Sequence, residues 1–206
     1  MLQEIIPDQI YIKKLNLNTE ILKNSCDRVF TNMSQIDKSF FDCEFSSASS
    51  TAKLWKHYNL FTFPYEGLCE LYEEIRKNFY ENRLEKNNKK YYIQSWINYY
   101  LKGDYIDWHS HSNTHDRQFM SGYYCVYGEP SYTTFKTESN IEYHIVNKND
   151  HMIFTKMGGQ YTKLMHRTWP WDKDYPRISI AFEIVERERI PEFFAKEEMF
   201  NHWMPI

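Results

Sequence analysis

Two hydrophobic periods divide this chain. From Asn18 to Phe30 the apolar positions Ile21, Leu22, Cys26, Val29 and Phe30 follow the helical period, and Asn18-Thr19-Glu20 supplies capping residues. Residues 32–55 are rich in Ser, Asp and Asn and predict mostly loop. Pro64-Tyr65-Glu66 opens a second predicted helix, whose Leu68, Leu71, Ile75 and Phe79 again repeat every three to four positions. The charged, Asn-rich run 81–90 predicts an exposed turn.

From Tyr91 the period shortens. Residues 91–100 are dense in strand formers, and Lys102-Gly103-Asp104 breaks the run as a turn. Further strands are predicted at 119–127, 131–136, 141–146, 151–155, 161–166 and 177–185, and Pro191 opens a short helix over about 190–202 with Phe193, Phe194, Met199 and Phe200. Short strands without intervening helices imply an antiparallel sandwich or jelly roll. The expected fold is therefore α+β: one domain over 1–206, with a helical part over about 1–90 packed on one face of a β core over about 91–186. A chain of 206 residues suits one domain with a sizeable core.

Composition narrows the partners. Lys plus Arg number 25 and Asp plus Glu 28, a net charge of −3. That balance argues against non-specific electrostatic binding of nucleic acid or anionic membrane, although a local basic patch stays open. No apolar run reaches the length of a membrane span, and the start Met1-Leu2-Gln3-Glu4-Ile5-Ile6-Pro7 lacks the pattern of a signal peptide. Cys26, Cys43, Cys69 and Cys125 are widely spaced, without a C-x-x-C pair, and predict reduced thiols in a cytoplasmic protein.

The chemistry concentrates in histidine. Three of eight histidines lie within Trp108-His109-Ser110-His111-Ser112-Asn113-Thr114-His115. On a strand, His109 and His111 point to one face and can aim two imidazoles at one point. His166, after a strand-like run, is the candidate third ligand. Such a set suits iron, zinc, copper or nickel and leaves coordination positions for substrate. H-x-H alone is a common spacing, and a solitary His166 could equally pack or face water. His57, His144, His151 and His202 read as ordinary positions. His115 could touch substrate or solvent.

The order of the pieces carries more than any one of them. Asn98-Tyr99-Tyr100 is followed by Gly103-Asp104, His109-Ser110-His111, Ser121-Gly122-Tyr123-Tyr124, Asn149-Asp150 before Met152-Ile153-Phe154, then His166, and finally Arg177-Ile178-Ser179-Ile180. Over residues 91–185 this resembles the iron(II)- and 2-oxoglutarate-dependent oxygenases of double-stranded β-helix fold, particularly the phage-type and prolyl-hydroxylase-like branches. The resemblance implies Fe(II) held by His109, His111 and His166. It also implies 2-oxoglutarate bound by an R-x-S clamp of Arg177 and Ser179, with Asn98, Tyr100 and Tyr124 as further contacts. Arg suits the distal carboxylate because its planar fork gives a bidentate, charge-assisted pair.

One departure stands out. The family usually places a carboxylate where His111 stands, so a third neutral imidazole leaves the site one unit more positive. H-x-H variants occur among the phage-type members. Asp107 shares the predicted strand face and is the second candidate for that ligand, and Asp116 could reach from the loop.

The implied activity is a dioxygenase that hydroxylates or demethylates a small-molecule, peptide or other substrate while decarboxylating 2-oxoglutarate to succinate, in the cytoplasm, the host's if the chain is phage- or virus-encoded. The residues leave two rivals: a three-histidine cupin dioxygenase that ignores 2-oxoglutarate, and a non-enzymatic jelly-roll structural or binding protein. A hydrolase of H-x-H-x-D-H type is disfavoured by Asn113. The loop bearing Trp169 and Trp171 is expected near the site mouth, as a contact surface or as packing.

Overall fold

A computed structural model describes residues 2–6, 10–36, 49–50, 58–82, 89–110, 118–155, 164–189 and 202–206. The predicted C-terminal helix falls almost wholly outside the described residues, as do His57, His111, His115 and Asp116.

The chain opens with a hairpin of β1 (Leu2–Ile6) and β2 (Ile10–Lys14), where the sequence predicted part of a helical region. The β-branched Ile5, Ile6, Ile10 and Ile12 favour strand, and β2 pairs along its length with β8 (His151–Thr155), so tertiary pairing decides the outcome. Helix α1 (Thr19–Ile36) forms where its period predicts. The Asn18 side chain caps it by accepting from Ile21 N–H at 3.2 Å, and Leu22, Cys26, Val29 and Met33 form its buried stripe. The second helix, α2 (Leu68–Asn82), starts later than Pro64. A short 3-10 turn, Leu60–Thr62, precedes it, capped by the buried Asn59. Leu68, Leu71, Ile75 and Phe79 are fully buried. Each such side chain contributes roughly 1.5–3 kcal/mol of burial.

The remaining strands are β3 (Ser49–Ser50), β4 (Tyr91–Tyr100), β5 (Gln118–Tyr127), β6 (Ser131–Lys136), β7 (Glu142–Asn147), β9 (Met165–Thr168), β10 (Arg177–Glu186) and β11 (Met204–Pro205). All described pairings are antiparallel. The large sheet runs β1-β2-β8-β5-β10-β4-β11, with β3 also on β4, and the small sheet runs β7-β6-β9. Residues 106–109 add a fourth segment beside β9, through Thr168 N–H to Ile106 O and a reciprocal pair between His109 and His166.

This is a jelly roll. The helices cover the outer face of the large sheet, where Leu22, Val29, Leu71 and Ile75 share one core with Ile97, Tyr124, Ile178, Ile180 and Phe182. A second core of Ile6, Ile10, Cys125, Phe135, Ile145, Ile153 and Leu164 fills the space between the sheets. Strand β10 lies between β4 and β5 and is buried on both faces. Among the described residues no helix is long and apolar enough to cross a membrane.

Candidate functional site

The site begins with one backbone pairing. His109 N–H donates to His166 O at 3.0 Å and His166 N–H to His109 O at 2.9 Å. Residues that exchange both bonds in an antiparallel pair project their side chains on the same face. The two imidazoles, 57 positions apart along the chain, therefore meet with ring centroids 4.1 Å apart. They point inward, because His166 stands opposite the buried Phe135 of β6 and stacks on its ring at 5.3 Å.

Their nitrogens are sorted by local backbone. His109 Nδ1 lies 2.8 Å from Asp107 O, and His166 Nδ1 lies 3.5 Å from Leu164 O. A carbonyl only accepts, so each Nδ1 carries the proton and each Nε2 of the neutral ring keeps its lone pair. Nε2 is thus the atom through which either ring could hold a metal. A backbone carbonyl on the second nitrogen is a usual way to orient a metal-bound histidine. His111 lies outside the described residues, and among the described residues no three His, Cys, Asp or Glu side chains converge. Asp107, the alternative ligand, is exposed and its carboxylate accepts from Trp108 N–H at 2.7 Å.

The facing wall is the inner surface of the large sheet. Register places Arg177 opposite Tyr100, and Ser179 opposite both Asn98 and Cys125, so these five share a face. Arg177 is only 3% exposed, yet its Nη1 is buried without a hydrogen-bond partner among the described residues. An unpaired buried guanidinium nitrogen is costly unless a ligand completes it. Its guanidinium carbon sits 4.5 Å from the Tyr100 ring centroid, which holds the fork in place. Gly128 contributes from behind. A Cβ there would come within 2.7 Å of Arg177 Cα, and the residue's φ of +94° is one that L side chains rarely adopt.

Tyr100 joins the two walls. Its hydroxyl hydrogen-bonds with Ser179 on the large sheet and Thr168 on the small one, and Thr168 is two residues along β9 from His166. Burial raises the Tyr100 pKa against the opposing pull of Arg177 and these two hydroxyls. Trp171 packs against Tyr100 from below. The Cys125 thiol is pushed up to about 12 by burial, with Arg177 pulling the other way, so it is a neutral wall group at physiological pH.

Two expectations are corrected. Tyr124 stands opposite Ile180, on the helix-backed face of the large sheet, and donates to Asp150 Oδ1 at 2.9 Å. Its neighbour Tyr123 shares the inner face, donating to the buried Asn147 Oδ1 at 2.8 Å. Period-two alternation separates the two tyrosines, but both faces of β5 are buried, so the sequence does not mark the inward one. The tryptophan loop also splits: Trp171 is inside, whereas Trp169 lies on the outer face of the small sheet, donating to Thr134 Oγ1 at 2.7 Å. Thr168 and Tyr123 were missed because neither stands out in sequence.

No family model and no curated protein matches this sequence. Solved structures do. A prolyl hydroxylase from Trichoplax adhaerens, in complex with a hypoxia-inducible-factor peptide fragment, aligns with TM-score 0.64 at 10% identity, covering 89% of this chain and 86% of that one. A Pseudomonas putida prolyl-4-hydroxylase aligns with TM-score 0.56 at 11% identity, covering 88% and 94%. The α-ketoglutarate-dependent carbocyclase SnoK aligns with TM-score 0.58 at 7% identity, covering 88% and 81%. The chain therefore has the double-stranded β-helix fold that these non-haem oxygenases share.

Proposed function

We propose that this chain is an iron(II)- and 2-oxoglutarate-dependent dioxygenase. The observation that carries the reading is the opposition of two walls. One presents paired imidazoles through Nε2; the other presents a buried Arg177 with a nitrogen that nothing among the described residues completes. Both groups fit. Neutral imidazole is a suitable ligand for iron(II), and a buried fork is suited to a carboxylate.

In this reading His109 and His166 hold the metal, with His111 as third ligand by sequence spacing. When bound, iron(II) and 2-oxoglutarate would supply the oxidising chemistry together with O2, one oxygen atom going to the substrate, as hydroxylation or demethylation, and the other to succinate as the keto acid loses carbon dioxide. Arg177 fixes the distal carboxylate, and the Ser179 and Tyr100 hydroxyls lie on the same wall to orient it. Asn98 extends that wall, and Tyr123 takes the place first assigned to Tyr124. The apolar Phe135, Leu164 and Trp171 exclude water. The substrate is a small molecule or peptide, and free Cys26, Cys69 and Cys125 suit a cytoplasmic setting.

Turnover separates this from its rivals. Tag-free protein with iron(II) is expected to convert 2-oxoglutarate to succinate, measurably even without substrate, and a chelator should stop it. Metal bound with no succinate formed would favour a cupin-type dioxygenase. No metal bound would leave a jelly-roll scaffold.

A further inference from the structure

The outer face of the small sheet plays no part in the proposed reaction, yet it has the make-up of a binding surface. Alternation along β6, β7 and β9 turns Tyr132, Thr134, Lys136, His144, Val146, Met165 and Arg167 outward, with Trp108 and Trp169 beside them. Tyr132, Val146 and Trp169 are 44%, 44% and 46% exposed. The rings form a ladder. Arg167 sits 4.7 Å from the Trp108 centroid and 5.9 Å from that of Trp169, and Trp169 lies 6.2 Å from Tyr132 and 5.9 Å from His144. A cleft of about 290 Å³ opens beside Trp108, bounded by Lys136, Thr137, Glu138, Asn140 and Met165.

The charges are unspent. Lys136 stands opposite Glu142 in register, yet among the described residues it pairs with no carboxylate and lies 5.8 Å from the Trp108 ring instead. Arg167 likewise makes no ion pair among the described residues, and its Nε is buried without a hydrogen-bond partner. The exposed end of the ladder is fixed by hydrogen bonds: the Trp169 indole N–H donates to Thr134 Oγ1, and that hydroxyl also hydrogen-bonds with His144 Nδ1 at 2.9 Å. Rigid exposed rings interleaved with cations that no carboxylate among the described residues pairs with match what single-stranded nucleic acid offers, an anionic backbone and bases with open π-faces. A neutral glycan would use the rings and leave both cations unanswered. A duplex would hide its bases.

We infer that this face binds single-stranded nucleic acid, with backbone phosphates at Lys136 and Arg167 and bases stacked on Trp169 and Tyr132. The inference does not depend on the oxygenase reading, since it concerns the opposite face of the same strands.

The test is fluorescence anisotropy of a labelled oligothymidylate of about 12 nucleotides with the full chain, titrated at rising salt. Expected are saturable binding that weakens as salt rises, weaker binding of a duplex of the same length, and at least about tenfold loss for Trp169→Ala and for Lys136→Glu. Lys102→Glu, on the turn after β4, is the charge control and should bind like wild type. Circular dichroism establishes that each variant is folded, and Tyr132→Ala serves if Trp169→Ala is not. No binding at low salt, equal loss in Lys102→Glu, or displacement by a neutral oligosaccharide would each overturn the inference.

Discussion

Adjacent tyrosines on β5 show how one residue step divides structure from chemistry. Tyr124 donates to Asp150, whose carboxylate also accepts from the backbone N–H groups of Asn16 and Leu17, each at 2.9 Å, and so ties the β2–α1 junction to the large sheet. Tyr123 faces the candidate site. Tyr124→Phe is therefore expected to cost about 1 kcal/mol in chemical denaturation while leaving the requirement for 2-oxoglutarate unchanged. Tyr123→Phe should raise that requirement. The opposite assignment of effects would return Tyr124 to the site. Arg177 stood out in the sequence only through the family resemblance, 11 residues after His166, whereas the two tyrosines look alike until register fixes their faces.

Elements tell a similar story. The predicted ranges for β6 and β8 match the observed strands, and those for β4, β5, β7 and β10 fall within a residue of them, because each is a short run of strand formers bounded by Gly, Pro, Asn or Asp. Of the range 161–166 expected for β9, residues 161–163 lie outside the described residues, and the described strand is Met165–Thr168. Its bounds come from pairing with β6 on one side and residues 106–109 on the other, which no local period reports. The β1–β2 hairpin was missed for the same reason. Gly128 is where element geometry bears on function. Gly128→Ala must displace the start of β10 or adopt a strained φ, at a cost of about 1–3 kcal/mol. We expect a lower denaturation midpoint together with a raised 2-oxoglutarate requirement. Loss of stability with an unaltered requirement would mean that the turn does not position Arg177.

At the scale of the molecule, the helical part and the β core share one hydrophobic core across the outer face of the large sheet. That face cannot be left to water. A fragment containing only residues 91–206 would expose Ile97, Tyr124, Ile178, Ile180 and Phe182, and is expected to aggregate or to lack dispersed amide resonances by NMR. A folded, soluble fragment would show that the two parts are separable. Strand spacing was enough to read an antiparallel sandwich or jelly roll, and the resemblance selected the double-stranded β-helix. The candidate residues His109, His166 and Arg177 came from the resemblance, but the cross-strand meeting of His109 with His166 and the incomplete hydrogen bonding of Arg177 needed the fold, since neither is local in sequence.

The most direct measurement is anaerobic binding of iron(II) and 2-oxoglutarate, followed by metal content and by the visible absorption of a keto acid chelated to iron(II). Wild-type protein is predicted to hold one iron per chain and to develop the band on adding 2-oxoglutarate. His166→Ala, still folded, should lose the iron, and Arg177→Ala should need at least about tenfold more keto acid because a buried charge-assisted pair is gone. Stoichiometric iron retained by His166→Ala, or an unshifted titration in Arg177→Ala, would contradict the account.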